Sequence, residues 1–141
     1  MTSISQFGIV PPSDEELVRE YLGKDVPFRF SGPDYWNPLR LGTTALFAYP
    51  LVYNEKHDEM IEVKGRKFLF KKEKFPSKIC VEWLIIDLLN NAGSVGSSIN
   101  CLLPNLIRKI SDNFFNKEDL ICMMNLYGNK EVKEKLLPLF I

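Results

Sequence analysis

No apolar run in this chain approaches the roughly 20 residues that a membrane-spanning helix needs, and its start, Met1-Thr2-Ser3-Ile4-Ser5-Gln6, lacks the basic and apolar regions of a secretory leader. A soluble, intracellular protein is the expectation. Cysteine is sparse and widely spaced: Cys80, Cys101 and Cys122 form an odd set without a Cys-x-x-Cys pair, which excludes a disulfide scaffold and a zinc site. These thiols are expected to be reduced and buried as small hydrophobes. The single histidine, His57, lies beside Asp58 in a charged stretch with no serine or cysteine motif near it. Adjacent side chains do not make a positioned acid–base pair, so no catalytic residue is assigned and no enzyme is expected. The stretch 93–98 lacks the Gly-x-x-x-x-Gly-Lys spacing of a phosphate loop. No metal ligand set, cofactor or small-molecule substrate is implied, and there is no internal repeat. Net charge is missing too: 18 Lys and Arg balance 18 Asp and Glu, whereas nucleic-acid-binding domains are commonly strongly basic.

The 141 residues, 45% of them apolar, supply material for one core, and the expectation is a single domain over 1–141. It divides into an N-terminal arm and capped helix (1–25), a sheet core (26–90), a loop and helix insertion (91–119) and a closing segment with an apolar tail (120–141). Ser13-Asp14-Glu15-Glu16 is a capping box: the serine oxygen accepts from the amide of residue 16 while Glu16 reaches back. Leu17, Val18, Tyr21 and Leu22 then recur at helical spacing, and Gly23 closes the helix. Ser31-Gly32-Pro33-Asp34 reads as a turn that delivers Tyr35 and Trp36 inward, Trp36 as a packing anchor. Strands are expected over 43–53, broken or confined to an edge by Pro50, and from Met60 onward. The run 79–89 alternates as an interior strand buried on both faces, 92–98 reads as a flexible loop, and Leu102, Leu103, Leu106, Ile107 and Ile110 mark a helix in which Pro104 must fall in the first turn. Residues 120–127 fit either helix or strand.

Against the neutral whole, residues 64–78 concentrate charge. Lys64, Arg66, Lys67, Lys71, Lys72, Lys74 and Lys78 stand against Glu73 alone, a net +6 that the remainder of the chain must offset. In an extended conformation Arg66, Phe68, Phe70 and Lys72 share one side, and Lys67, Leu69 and Lys71 the other. Such a band can lie along a phosphate backbone while its apolar side chains pack inward. The alternative reading is a solvated edge strand guarded by lysines.

Taken in order, these segments resemble the NAC domain of plant transcription factors. Pro12-Ser13-Asp14-Glu15-Glu16-Leu17-Val18 with Tyr21-Leu22 is similar to that family's opening P-T-D-E-E-L-V and its later Y-L. Pro76 through Trp83 and on to Leu89 resembles A-P-x-G-x-K-T-x-W-I-M-H-E-Y-R-L, with the same proline-to-tryptophan spacing. Weaker similarities are Asp34-Tyr35-Trp36-Asn37-Pro38-Leu39 to D-P-W-D-L-P, Ala45-Leu46-Phe47-Ala48-Tyr49-Pro50 to W-Y-F-F-S-P, and Leu120-Ile121-Cys122-Met123-Met124-Asn125-Leu126-Tyr127 to the closing W-V-L-C-R-I-Y strand. The resemblance implies an α+β fold with a twisted antiparallel sheet flanked by a few short helices. It also implies nuclear residence, homodimers or heterodimers with relatives, and an edge strand that reads duplex DNA in the major groove.

Two departures bear on function. Where the family carries W-K-A-T-G-x-D-K, this chain has 54–64, with Glu55, Asp58, Glu59 and Glu62 in place of the reading strand. Where the family has an arginine that pairs across the dimer, Phe7-Gly8-Ile9-Val10 places Ile9, although Glu16 matches the glutamate. A two-fold contact through Gly8, Ile9, Val10 and Glu16 remains the expected interface. The lysine-rich strand keeps its phosphate-contacting charge, which confers affinity without selectivity. Two functions follow as expectations: a NAC-type regulator that holds double-stranded DNA through the backbone, or a non-catalytic interaction module that keeps the fold and dimerises without DNA.

Overall fold

The computed structural model describes residues 11–140, and the capping box at Ser13 opens its first helix, α1 (Asp14–Leu22). The Glu16 amide donates to Ser13 Oγ at 3.2 Å and Glu16 Oε1 accepts from Ser13 in return, so two otherwise orphaned donors are satisfied. Leu17, Val18 and Leu22 are buried along one side. The chain continues through β1 (Phe28–Ser31), a single turn α2 (Pro33–Trp36), β2 (Leu51–Asn54), β3 (Met60–Val63) and β4 (Arg66–Lys72). Helices α3 (Val81–Asn90), α4 (Ile99–Ser111), α5 (Lys117–Tyr127) and α6 (Lys130–Leu136) complete it.

The four strands lie in the order β1-β2-β4-β3. β1 and β2 are antiparallel, β3 and β4 are antiparallel, but β2 and β4 run parallel, so the sheet is mixed rather than wholly antiparallel as expected. The reason is local. Lys64 and Gly65 both have positive φ (50° and 85°) between the paired Val63 and Arg66, the two-residue turn whose twist suits a hairpin. The hairpin folds β4 back alongside β2 and leaves β3 outermost. The basic strand is therefore interior, and the sheet's edges are β1 and β3.

Alternation along the strands divides the core in two. Val52, Ile61, Val63, Phe68 and Phe70 face α1, with Phe28 and Phe30 beside them. Leu51, Tyr53 and Leu69 face the other way, against Trp36, Trp83 and the side chains of α3 to α6. Burying each such side chain contributes about 1.5–3 kcal/mol, so both faces are stabilised.

The structure departs from the expected elements at several places. The run 79–89 enters the helix α3, buried nearly all round because it passes between the sheet and the later helices; a short, largely apolar run looks alike as strand or helix by periodicity. Strand 43–53 shrinks to β2. Residues 92–95 form a 3-10 turn rather than a loose loop, and 120–127 is helix α5, capped by the Asn116 side chain. Tyr35 is exposed, whereas Trp36 is fully buried. Cys101 and Cys122 are exposed, on the outer sides of α4 and α5, and only Cys80 is half-buried. Pro104 is not in the first turn: α4 begins at Ile99, so the proline sits in its second turn. There it removes the amide that would bond to the carbonyl of Asn100. Leu102 and Leu106, 1% and 0% exposed, hold the helix in spite of that loss. Replacing Pro104 by Ala should raise stability by about 1–3 kcal/mol in urea denaturation, by restoring the bond and helix propensity; a destabilised variant would mean that the proline ring is needed for packing.

Candidate functional site

The basic segment was the sequence's strongest functional signal, and the structure distributes its charges over two sides of the sheet and one turn. Lys64, at the hairpin turn, has its Nζ 3.2 Å from Glu20 Oε2 on α1. Arg66 Nη1 lies 3.0 Å from Asp14 Oδ1 and donates to the Pro12 carbonyl at 2.8 Å. Lys71 Nζ is 3.8 Å from Glu73 Oε2 and 3.4 Å from Asn91 Oδ1. Lys67 stands opposite Glu62 in the β3–β4 register and over the Tyr49 ring, 5.8 Å from its centroid. Lys72, Lys74 and Lys78 are exposed and make no carboxylate pair among the described residues. Setting Glu73, Glu20 and Asp14 against the seven cations lowers the local charge from +6 to +4.

The acidic replacement segment is a loop followed by an edge strand. Asn54, fully buried, organises the loop: its Oδ1 accepts from the amides of Lys56 (2.8 Å) and His57 (2.6 Å), and its Nδ2 donates to the His57 carbonyl at 3.1 Å. His57 then packs its ring 5.3 Å from Tyr21 and 6.0 Å from Phe70, which explains why a histidine stands there. On β3, Ile61 and Val63 point into the core while Met60 and Glu62 are exposed. Of the expected dimer contacts, Gly8, Ile9 and Val10 lie outside the described residues. Glu16 is described, and one of its carboxylate oxygens is engaged in its own helix cap.

A second constellation joins residues that no sequence motif links. Asp87 of α3 is 3% exposed. Its carboxylate accepts from the Ser31 hydroxyl on β1, the Tyr53 hydroxyl on β2, the Trp36 indole Nε1 at 3.1 Å and Asn91 Nδ2 at 3.3 Å. Burial pushes the Asp87 carboxyl up to about 6, and the hydrogen bonds from Ser31, Tyr53 and Trp36 restrain the rise. Burial, with the neighbouring Asp87 charge, also holds the Tyr53 hydroxyl well above its usual range, so it stays protonated and donates. Four donors, from three other elements and from the C-cap of α3 itself, engage the carboxylate, and the arrangement positions structure. The sequence separation of Ser31, Trp36, Tyr53 and Asp87 hides it, and the one available signal is an aspartate within the otherwise apolar stretch 83–89. Among the described residues no group of three or more His, Cys, Asp or Glu is placed to hold a metal ion.

No family model, curated protein or solved structure matches this chain.

Because the folded Asp87 holds its proton above the ordinary value of 3.8, the native state is favoured by this group below that pH, and the advantage is lost as pH rises through about 6. Comparing wild type with Asp87→Asn in chemical denaturation from pH 4 to 7 should show a component that declines over this window in wild type and is absent from the variant. At all pH values the variant should be destabilised, by about 1–3 kcal/mol, since its amide group faces donors. Parallel pH profiles for the two proteins would contradict the assignment.

Proposed function

We propose that this chain is a non-catalytic interaction module of NAC-like origin, which keeps a helix-capped sheet and works through protein contacts without reading base sequence. The position of β4 carries this reading. An interior strand, paired on both sides and with Lys64, Arg66 and Lys71 engaged by the protein's own carboxylates, cannot slide alone into a major groove. The accessible edge beside it, β3, exposes Glu62, and Glu59 precedes it, so like charge would meet phosphates there. Near the same edge Leu46, Tyr49 and Met60 are exposed apolar side chains of the kind that partner surfaces cover. The partner would be a NAC-like relative or a second copy, and a nuclear setting belongs to the same reading through the family resemblance.

One observation favours a second reading, a regulator that holds duplex DNA by its phosphates. Lys72, Lys74 and Lys78, exposed and unpaired among the described residues, follow one another where β4 leaves the sheet. Three phosphate contacts would give a log–log salt slope of about −3.

Titrating labelled duplex DNA at low and moderate salt with wild type and with the triple variant Lys72→Glu/Lys74→Glu/Lys78→Glu separates the two. The module predicts no saturable binding, or weak binding that the triple change leaves alone; a slope of about −3 that the triple change abolishes establishes the DNA reading instead. Size-exclusion chromatography of the chain with a NAC-domain protein should yield an earlier-eluting mixed species. Unchanged separate peaks, for the chain alone as a monomer and in the mixture, sink the module.

A further inference from the structure

The face of the sheet that packs against α3 is not wholly covered. Toward the β3 edge the helical layer stops short, and between it and the segment 46–49 lies an open groove of about 460 Å³. That size is typical of sites for small organic ligands, which are lined mostly by apolar groups with a few polar ones. Leu69 of β4 lies within it, Phe47 flanks it, and Tyr49 and Met60 of β3 stand at its exposed rim. Among the described residues Lys71 is the one charged side chain lining it, and no carboxylate does so.

Lys71 is aimed as well as present. Its Nζ lies 3.4 Å from Asn91 Oδ1, and the Asn91 amide is itself fixed by donation to the Asp87 carbonyl at 2.7 Å and to the Tyr53 hydroxyl at 3.2 Å. The buried network thus sets the position of a cation at the end of an apolar groove. The carboxylate that now pairs with Lys71, Glu73 Oε2 at 3.8 Å, is distant for a charged hydrogen bond, and both side chains are substantially exposed. Exposed pairs of this kind contribute little and are readily exchanged. The rim is apolar too: Met60 and Tyr49 are 46% and 39% exposed, side chains a ligand would cover.

The geometry points to this groove as a binding site for an amphipathic monocarboxylate, a medium-chain aliphatic acid or its aromatic equivalent. The apolar body lies over Leu69 and Met60 against Phe47 and Tyr49, and the carboxylate replaces Glu73 at Lys71. The groove shares Leu46, Tyr49 and Met60 with the surface assigned above to a partner, so ligand and partner would compete for it; ligand binding is read without partner or DNA, so its failure leaves the module reading standing.

Decanoate and decanol are the probes, each used below its aggregation concentration and followed by titration calorimetry on the full chain. Wild type should bind decanoate saturably and about tenfold more tightly than decanol, the difference a charged hydrogen bond makes. Lys71→Met should lose that preference while retaining decanol binding, with its circular dichroism unchanged. Met60→Glu, on the exposed rim, should weaken decanoate and spare decanol, and it serves if Lys71→Met fails to fold. Absence of saturable binding to wild type, equal affinity for the two probes, or a preference that survives both substitutions overturns the proposal.

Discussion

A single buried carboxylate sets the geometry on which the other layers rest. Apolar packing drives α3 onto the sheet but is indifferent to its rotation and register. Asp87 removes that indifference by demanding donors from Ser31, Trp36, Tyr53 and Asn91 at once. Only one arrangement of β1, the turn at α2, β2 and α3 satisfies all four. Satisfied polar networks in low dielectric specify a unique core in this way, whereas the loss of any one donor leaves charge uncompensated. The later helices inherit the frame. Asn90, three residues on, donates to the Tyr127 carbonyl and accepts from the Asn129 amide, fixing the junction between α5 and α6 against α3.

What could be read from the sequence was local. The capping box at Ser13 is complete within four residues, and the alternation of Phe68 and Phe70 with Lys67 and Lys71 follows from strand geometry alone. Both survive in the structure. What failed depended on partners far along the chain. The run 79–89 has strand-like alternation, but its fate as α3 is decided by the sheet on one side and by Leu120, Met124, Val132 and Leu136 on the other. Pro104 opposes a helix locally and is overruled by Leu102 and Leu106. The basic run was visible as charge, while its partners on α1, Asp14 and Glu20, lie some fifty residues earlier by the register of the fold. Asp87 was legible as an anomaly and nothing more.

The neutral total charge takes on a physical form here. The acids that suit the positive end of α1, with Glu20 further along it, also face the hairpin that carries Lys64 and Arg66. Two needs, helix capping and charge balance, are met by one cluster. These contacts neutralise the hairpin end of the basic run and leave the charge at Lys72, Lys74 and Lys78, whose field at physiological ionic strength falls off over about 8 Å.

The two-sided sheet separates the molecule into unequal halves. α1 is held by three buried side chains, Leu17, Val18 and Leu22, and by two ion pairs open to solvent. The opposite half has five helical segments, two tryptophans and the Asp87 network. Opening events follow the weaker seam. Local opening therefore costs least at the first helix, and such an opening would bare Val52, Phe68 and Phe70 while the hub beneath stays closed.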